Sequence, residues 1–269
     1  MLEANGLRFH VREEGSGPPV ILLHGFPDTS DLWRHQVPAL VAAGFRAIAP
    51  DMRGRGRSSR PDAVSDYALP MIVKDVTAML DALGVESAHV VGHDWGAAVA
   101  WLVASLAPER VHRLVVISVG FPGAAGKPSL EALQKSWYRI LFQFEGLAEE
   151  LFQRDDWYLL RELLHGAPDT EAYIRTLSEP GALTAGLNWY RANLPVANLL
   201  GPAPQLPSVL APTLGIFGAG DLYLTEQAMV RSAEKVQGSW RYERLEGVGH
   251  WVPLEAADRL NELLVEFLI

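Results

Sequence analysis

Apolar and polar residues alternate along this chain with two periods. Val20-Ile21-Leu22-Leu23 is a short, β-branched-rich apolar run ended by His24-Gly25-Phe26-Pro27-Asp28, which predicts a buried strand and a sharp loop. Trp33 to Ala43 carries helical spacing, and Gly44 is placed to stop it. Phe45 to Ala49 predicts a second buried strand ending at Pro50-Asp51. Pro70 to Leu83 predicts an amphipathic helix with proline at its start and Gly84 just past its end. His89-Val90-Val91 reads as a third strand, Ala97 to Ala107 as an alanine-rich helix that fits close against a sheet, and Leu114 to Ser118 as a fourth strand. Strands alternating with helices imply a mostly parallel sheet covered on both faces.

The pattern then breaks. From about Pro122 to Pro207 no buried strand is legible, and aromatic, helix-forming stretches take over at Trp137 to Phe144, Asp155 to Leu164 and Leu187 to Ala192. Pro122 and Pro128 open this segment; Pro202, Pro204 and Pro207 close it. The alternation resumes with a strand at Thr213 to Phe217, a helix near Thr225 to Val236, a strand at Tyr242 to Leu245 and a last helix from Pro253. The expected organisation is one α/β core domain, residues 1–122 and 208–269, with residues 123–207 inserted as a helical cap.

Composition narrows the function classes. The 269 residues carry a formal net charge of -9, which favours solubility and argues against nucleic acid or an anionic membrane as partner. The one basic cluster, Arg53, Arg55, Arg57 and Arg60, lies in a Gly/Ser-rich loop and reads as solvated. With no cysteine, disulfides, thiol catalysis and thiolate metal sites are excluded. The N-terminal stretch lacks a signal's apolar core, and no apolar run approaches the roughly 18–20 residues of a membrane span. A cytoplasmic protein is the expectation.

The most informative string is Gly92-His93-Asp94-Trp95-Gly96, set between an apolar strand and a small-residue helix. The nucleophile elbow of the α/β-hydrolase fold has this form, with two glycines because the turn is strained and backbones approach closely. Here aspartate fills the nucleophile position. Capping of the following helix would account for one Asp, but not for the flanking glycines. Acid and base should follow in chain order: Asp221 after the strand ending at Phe217, then His250 within Gly247-Val248-Gly249-His250-Trp251. Both sit at strand ends on the carboxyl edge of the sheet, where open α/β folds place their sites. His24 and His93 flank the site and read as loop ties through ring hydrogen bonds. No histidine pair has metal-ligand spacing, so neither metal nor cofactor is expected.

A carboxylate nucleophile displaces a leaving group from saturated carbon and forms an alkyl ester. Hydrolysis of that ester needs water activated by His250, with Asp221 holding its tautomer. It also needs backbone donors for the oxyanion, and the amides of Phe26 and Trp95 are the candidates.

At this point the chain resembles a known family. The strings His24-Gly25-Phe26-Pro27, Asp51-Met52-Arg53-Gly54-Arg55-Gly56-Arg57-Ser58 and the elbow are similar to those of the α/β-hydrolase-fold epoxide hydrolases, over essentially the whole chain. The resemblance implies an apolar epoxide and water as substrates, and two cap tyrosines that donate to the epoxide oxygen. Leu187-Asn188-Trp189-Tyr190-Arg191 resembles the second tyrosine motif. Trp137 to Gln143 resembles the first, with Tyr138 as the donor, although Phe142-Gln143-Phe144-Glu145-Gly146 departs from the family's Phe-Gln-Glu-Pro-Gly. Trp95, Phe26, Trp137 and Trp189 are expected to contact substrate. The elbow is shared with dehalogenases, but Phe26 stands where a haloalkane dehalogenase often has Asn, and Trp95 where a fluoroacetate dehalogenase usually has Arg. A non-catalytic ligand binder of the same fold would have a broken triad, whereas this one reads as whole.

Overall fold

The computed structural model describes residues 1–198, 201 and 204–269. Strands β1 (Leu2–Ala4) and β2 (Leu7–Phe9) form a small antiparallel hairpin. Among the described residues the main sheet has seven strands, in the order β3 (Val11–Glu14), β5 (Arg46–Pro50), β4 (Pro19–Leu23), β6 (Ala88–His93), β7 (Val111–Ile117), β8 (Thr213–Gly218), β9 (Trp240–Leu245). Only β3 is antiparallel to its neighbour. The chain is thus α/β with a mostly parallel sheet. The inner strands are apolar on both faces because helices cover both. Val20 to Leu23, Val90, Val91 and Leu114 to Ile117 are all fully buried.

Helices α1 (Gln36–Ala42), α2 (Leu69–Ala82) and α3 (Trp95–Leu106) lie between the early strands. Helix α3 is apolar almost all round, and its alanines and Gly96 let it sit tightly against β4, β6 and β7. The helix expected over Trp33 to Ala43 is instead a 3-10 turn, Ser30–Trp33, followed by α1, with Thr29 accepting from the Asp31 amide. The stretch expected as one helix from Thr225 likewise divides into a helix at Glu226–Arg231 and a 3-10 turn at Ser232–Lys235.

Between β7 and β8 run α4 (Leu130–Lys135), α5 (Tyr138–Phe142), α6 (Leu147–Leu163), α7 (Thr170–Leu177) and α8 (Ala182–Asn193), with no strand among the described residues. Pro202, one of the prolines expected to close this insertion, lies outside the described residues. The helical path of α6 is interrupted at Arg154 to Trp157. Arg191 ties the insertion together: it is bidentate to Glu149 of α6 at 2.8 Å for both contacts and donates to the Phe142 carbonyl of α5 at 2.9 Å. Asn193 fastens α8 to the core, accepting from the Leu69 amide and donating to the Tyr67 carbonyl. The chain ends with α9 (Glu226–Arg231), α10 (Val252–Glu255) and α11 (Ala257–Leu268), the last packing beside α1. Among the described residues no helix is long and apolar enough to cross a membrane.

Candidate active site

Asp94 leaves β6 and enters α3 with φ 53° and ψ −123°, a conformation unfavourable for a side chain other than glycine. The two elbow glycines are forced by space. A Cβ on Gly92 would lie 2.3 Å from the Gly96 carbonyl oxygen, and one on Gly96 would lie 1.9 Å from that of Leu23. The Asp94 carboxylate makes no capping hydrogen bond to α3. Its Oδ1 instead accepts from the Phe26 amide at 2.8 Å, across the gap between β4 and β6. Gly25 permits this contact, because a Cβ there would lie 2.1 Å from that same oxygen. Among the described residues the Trp95 amide, the other expected donor, makes no such bond to the Asp94 carboxylate.

The loops after β8 and β9 interlock. Gly220 donates to the Val248 carbonyl at 2.8 Å, and a Cβ on Gly218 would strike the Gly249 carbonyl. This brings His250 Nδ1 to 2.7 Å from Asp221 Oδ2 and leaves His250 Nε2 3.8 Å from Asp94 Oδ2. Asp221 Oδ1 accepts from the amides of Tyr223 and Leu224 at 2.8 and 2.9 Å, so the carboxylate is held from both sides. The His250 loop is pinned in turn. Its carbonyl accepts from His93 Nε2 and Ser118 Oγ, and Glu255 accepts from the amides of Gly249 and Trp251.

The electrostatics follow from burial and charge. Burial alone would raise Asp221, but the His250 charge and hydrogen bond and the two amides outweigh it and hold it low. For His250 burial opposes protonation, yet Asp221, Asp94 and Asp28 together raise it to about 9. The resting imidazole is therefore protonated at neutral pH, which revises the neutral form that its reference value of 6.5 implies. His24 and His93 are the reverse: burial lowers them to about 4 and about 3. Both rings bond backbone, His24 to the Gly25 carbonyl and the Met52 amide, His93 to the His250 carbonyl.

Tyr138 and Tyr190 are both buried, with rings 6.1 Å apart and nearly perpendicular. Tyr190 packs edge-on against Trp95 at 5.0 Å and Phe26 at 5.6 Å. Burial, then the Asp94 charge and Tyr138, pushes Tyr190 well above the usual phenol value; Tyr138 is raised chiefly by burial.

The two other tryptophans expected to contact substrate have contrasting surroundings. Trp137 is 48% exposed and lies outside the aromatic cluster, since neighbouring helical positions point about 100° apart. Trp189 is buried behind Trp95, ring to ring at 5.7 Å, and donates its indole N–H to the Arg53 carbonyl. The reading of the basic loop as solvated is also corrected: Arg53 and Arg55 are buried.

Sequence reasoning passed over Asp28, which is 2% exposed and accepts from the Trp251 indole at 3.2 Å. Burial and the nearby Asp94 charge raise it to about 7 against the pull of its hydrogen bonds. Its signal, an acid directly after His-Gly-Phe-Pro, was present but indistinguishable from a turn residue. Among the described residues no cluster of three or more His, Asp or Glu is arranged to hold a metal.

Residues 18–257 match the model of the family described as the alpha/beta hydrolase fold. Epoxide hydrolase A of Mycobacterium tuberculosis is 33% identical, the alignment covering 100% of this chain and 96% of that protein. An epoxide hydrolase of Caballeronia sordidicola is 34% identical, with 99% and 92% covered. The crystal structure of epoxide hydrolase A from Mycobacterium thermoresistibile superposes with a TM-score of 0.84 at 32% identity, covering 99% of this chain and 96% of that one.

Proposed function

The chain belongs to the α/β-hydrolase-fold family, and from that premise we propose that it is an epoxide hydrolase working through an aspartyl-ester intermediate. The observation that carries the reading is a carboxylate at the nucleophile elbow with two buried tyrosines beside it and His250 held by Asp221 at 2.7 Å. The helical insertion, residues 123–207, serves as the cap that brings Tyr138 and Tyr190 over the nucleophile.

In the first step Asp94 attacks an epoxide carbon, the C–O bond breaks, and Tyr138 and Tyr190 donate to the departing oxygen. An alkoxide is too basic to leave unaided, which is why an epoxide needs acids there and a halide does not. The negative charge moves from Asp94 to the substrate oxygen. His250 then loses one of the charges that favour its protonated form, gives up its proton to restore the tyrosine that protonated the alkoxide, and becomes the base. Water activated by neutral His250 attacks the ester carbonyl, the amides of Phe26 and Trp95 stabilise the oxyanion, and a vicinal diol leaves. Asp221 fixes the tautomer throughout. No cofactor enters the scheme.

The test is to incubate the pure protein with styrene oxide and, separately, with 1-bromobutane. Diol without bromide is expected. Bromide release without diol would make the protein a dehalogenase, and neither product would favour a binding role.

A further inference from the structure

Four arginines crowd the loop after β5, and three of them have partners. Arg53 is bidentate to Asp75 at 2.7 and 2.6 Å, Arg57 reaches the His10 ring, and Arg60 pairs with Glu179 at 2.5 Å. Arg55 has no ion-pair partner among the described residues, although only 4% of it is exposed. Its guanidinium carbon lies 4.6 Å from the centre of the Phe26 ring, the ring that meets Tyr190 edge-on. Residue 186 leaves room for it by being glycine, since a Cβ there would lie 2.5 Å from Arg55 Nη1. Gly186 stands one helical turn before Tyr190, so Arg55 lies beside the face of α8 that carries that tyrosine. Burial lowers Arg55 to about 10, and the strongest opposing influence is Tyr190, ahead of Asp28 and Asp94.

The second charge is Arg139. It follows Tyr138 on α5, and its buried Nε has no hydrogen-bond partner among the described residues. It is the charge that acts most strongly on the Tyr138 hydroxyl, and it acts on Tyr190 as well.

A buried guanidinium without an ion-pair partner is costly, so Arg55, with the half-buried Arg139 next to Tyr138, calls for a negative charge that arrives during turnover. We propose that Arg55 and Arg139 form a cationic bracket around Tyr190 and Tyr138 that stabilises the charge arriving on the epoxide oxygen during ring opening. The inference rests on the proposed function and adds two positioning residues to it. The covalent bookkeeping is unchanged: the Asp94 oxygen–carbon bond forms, the epoxide C–O bond breaks, and the electron pair left on oxygen takes a tyrosine proton, leaving a tyrosinate that the His250 proton restores. The arginines act through the tyrosines and the field they set.

The experiment separates the half-reactions with styrene oxide in Arg55→Gln, Arg139→Gln and the matching lysine variants. Folding of each is checked by thermal melting, and Arg139→Gln, at a half-buried position, carries the test if Arg55→Gln does not fold. Rapid quench gives the alkylation rate, and decay of the ester gives the hydrolysis rate. Each glutamine variant should slow alkylation about tenfold, less than the loss of a direct oxyanion donor. Ester hydrolysis should be unchanged, and lysine should recover most of the loss. Equal slowing of both half-reactions, or alkylation at the wild-type rate, would overturn the bracket. So would a loss seen only with glycidate, a carboxylate-bearing epoxide, which would make the arginines a substrate-anion site. Wild type that makes no diol from styrene oxide would defeat the proposed function instead, a result distinct from all of these.

Discussion

Asp94 sits in a strained backbone conformation with its carboxylate turned from the helix it precedes toward the Phe26 amide, as a nucleophile requires and a helix cap does not. Asp94→Ala should therefore leave a folded protein without turnover. Single turnover of the wild type in heavy-oxygen water should give unlabelled diol, because in the proposed mechanism the added oxygen comes from Asp94; label in the first-turnover product would mean direct attack by water. His250→Gln should spare alkylation and block hydrolysis, so a substrate adduct should accumulate on the peptide containing Asp94, detectable by mass. Asp28 makes a different prediction. Its carboxyl is raised from 3.8 to about 7, so the folded state holds a proton the unfolded state has lost, and stability falls as pH rises between those values. Asp28→Asn should abolish that fall and stabilise the protein at pH 8 by on the order of 4 kcal/mol. Urea unfolding at pH 5 and pH 8 checks it, and an equal effect at both would refute it. At this scale the meeting of Asp94, Asp221 and His250 was legible because each residue has a motif and a strand end to fix its place. Arg55 was not, because a buried guanidinium and a solvated one look alike in a loop of Gly, Ser and Arg.

The elements were legible in proportion to how completely they are buried. Strands β4, β6, β7 and β8 are apolar on both faces and stand out in the sequence. Strands β1 to β3, sequences such as Leu7-Arg8-Phe9 and Val11-Arg12-Glu13-Glu14, lie outside or at the edge of the main sheet and are too short and polar to show a period. Helices α4 and α7 were missed for a related reason: each is too short to show a clear period, and α4 buries none of its residues. Two predictions belong here. Gly96→Ala would drive a Cβ into the backbone of β4, 1.9 Å from Leu23 oxygen, where no side chain can yield. It should cost about 3 kcal/mol or more, or prevent folding, as measured by denaturant unfolding. Arg191 is a buried ion pair that sets the bearing of α8 and hence of Tyr190. Arg191→Gln strands Glu149 and should cost about 3 kcal/mol. Alkylation should also slow while ester hydrolysis holds, because only the first step needs Tyr190. Equal rates for both steps in the variant and the wild type would detach α8 from the chemistry.

The whole molecule converges on one titration. The ends of β6, β8 and β9 and the loop after β4 bring Asp94, Asp221 and Asp28 around a single imidazole, and no one of these elements alone accounts for its value of about 9. The sign for stability follows directly. Below pH 6.5, the ordinary value, folded and unfolded states both carry the proton and the pairing contributes fully. Above it only the folded state does, and the contribution, on the order of 3 kcal/mol, is lost as pH rises through about 9. The sign for catalysis is tied to the covalent step. In the proposed mechanism esterification cancels the Asp94 charge, one of the three that hold the proton on His250, so the base should titrate lower in the ester than in the resting enzyme. The rate of ester decay should therefore rise with pH to a plateau, with an apparent pKa clearly below 9. The resting imidazole, followed by its ring-proton NMR shifts, should titrate near 9. Asp94→Asn removes the same charge permanently and should bring the resting titration down toward the ester's. Both tyrosines are raised, Tyr190 furthest, so alkylation should hold its rate past pH 10, where an unperturbed phenol would already be failing. An ester-decay pKa equal to the resting value would mean that Asp94 does not hold the proton on His250, and the hand-over from acid to base would have to come from Asp221 or Asp28.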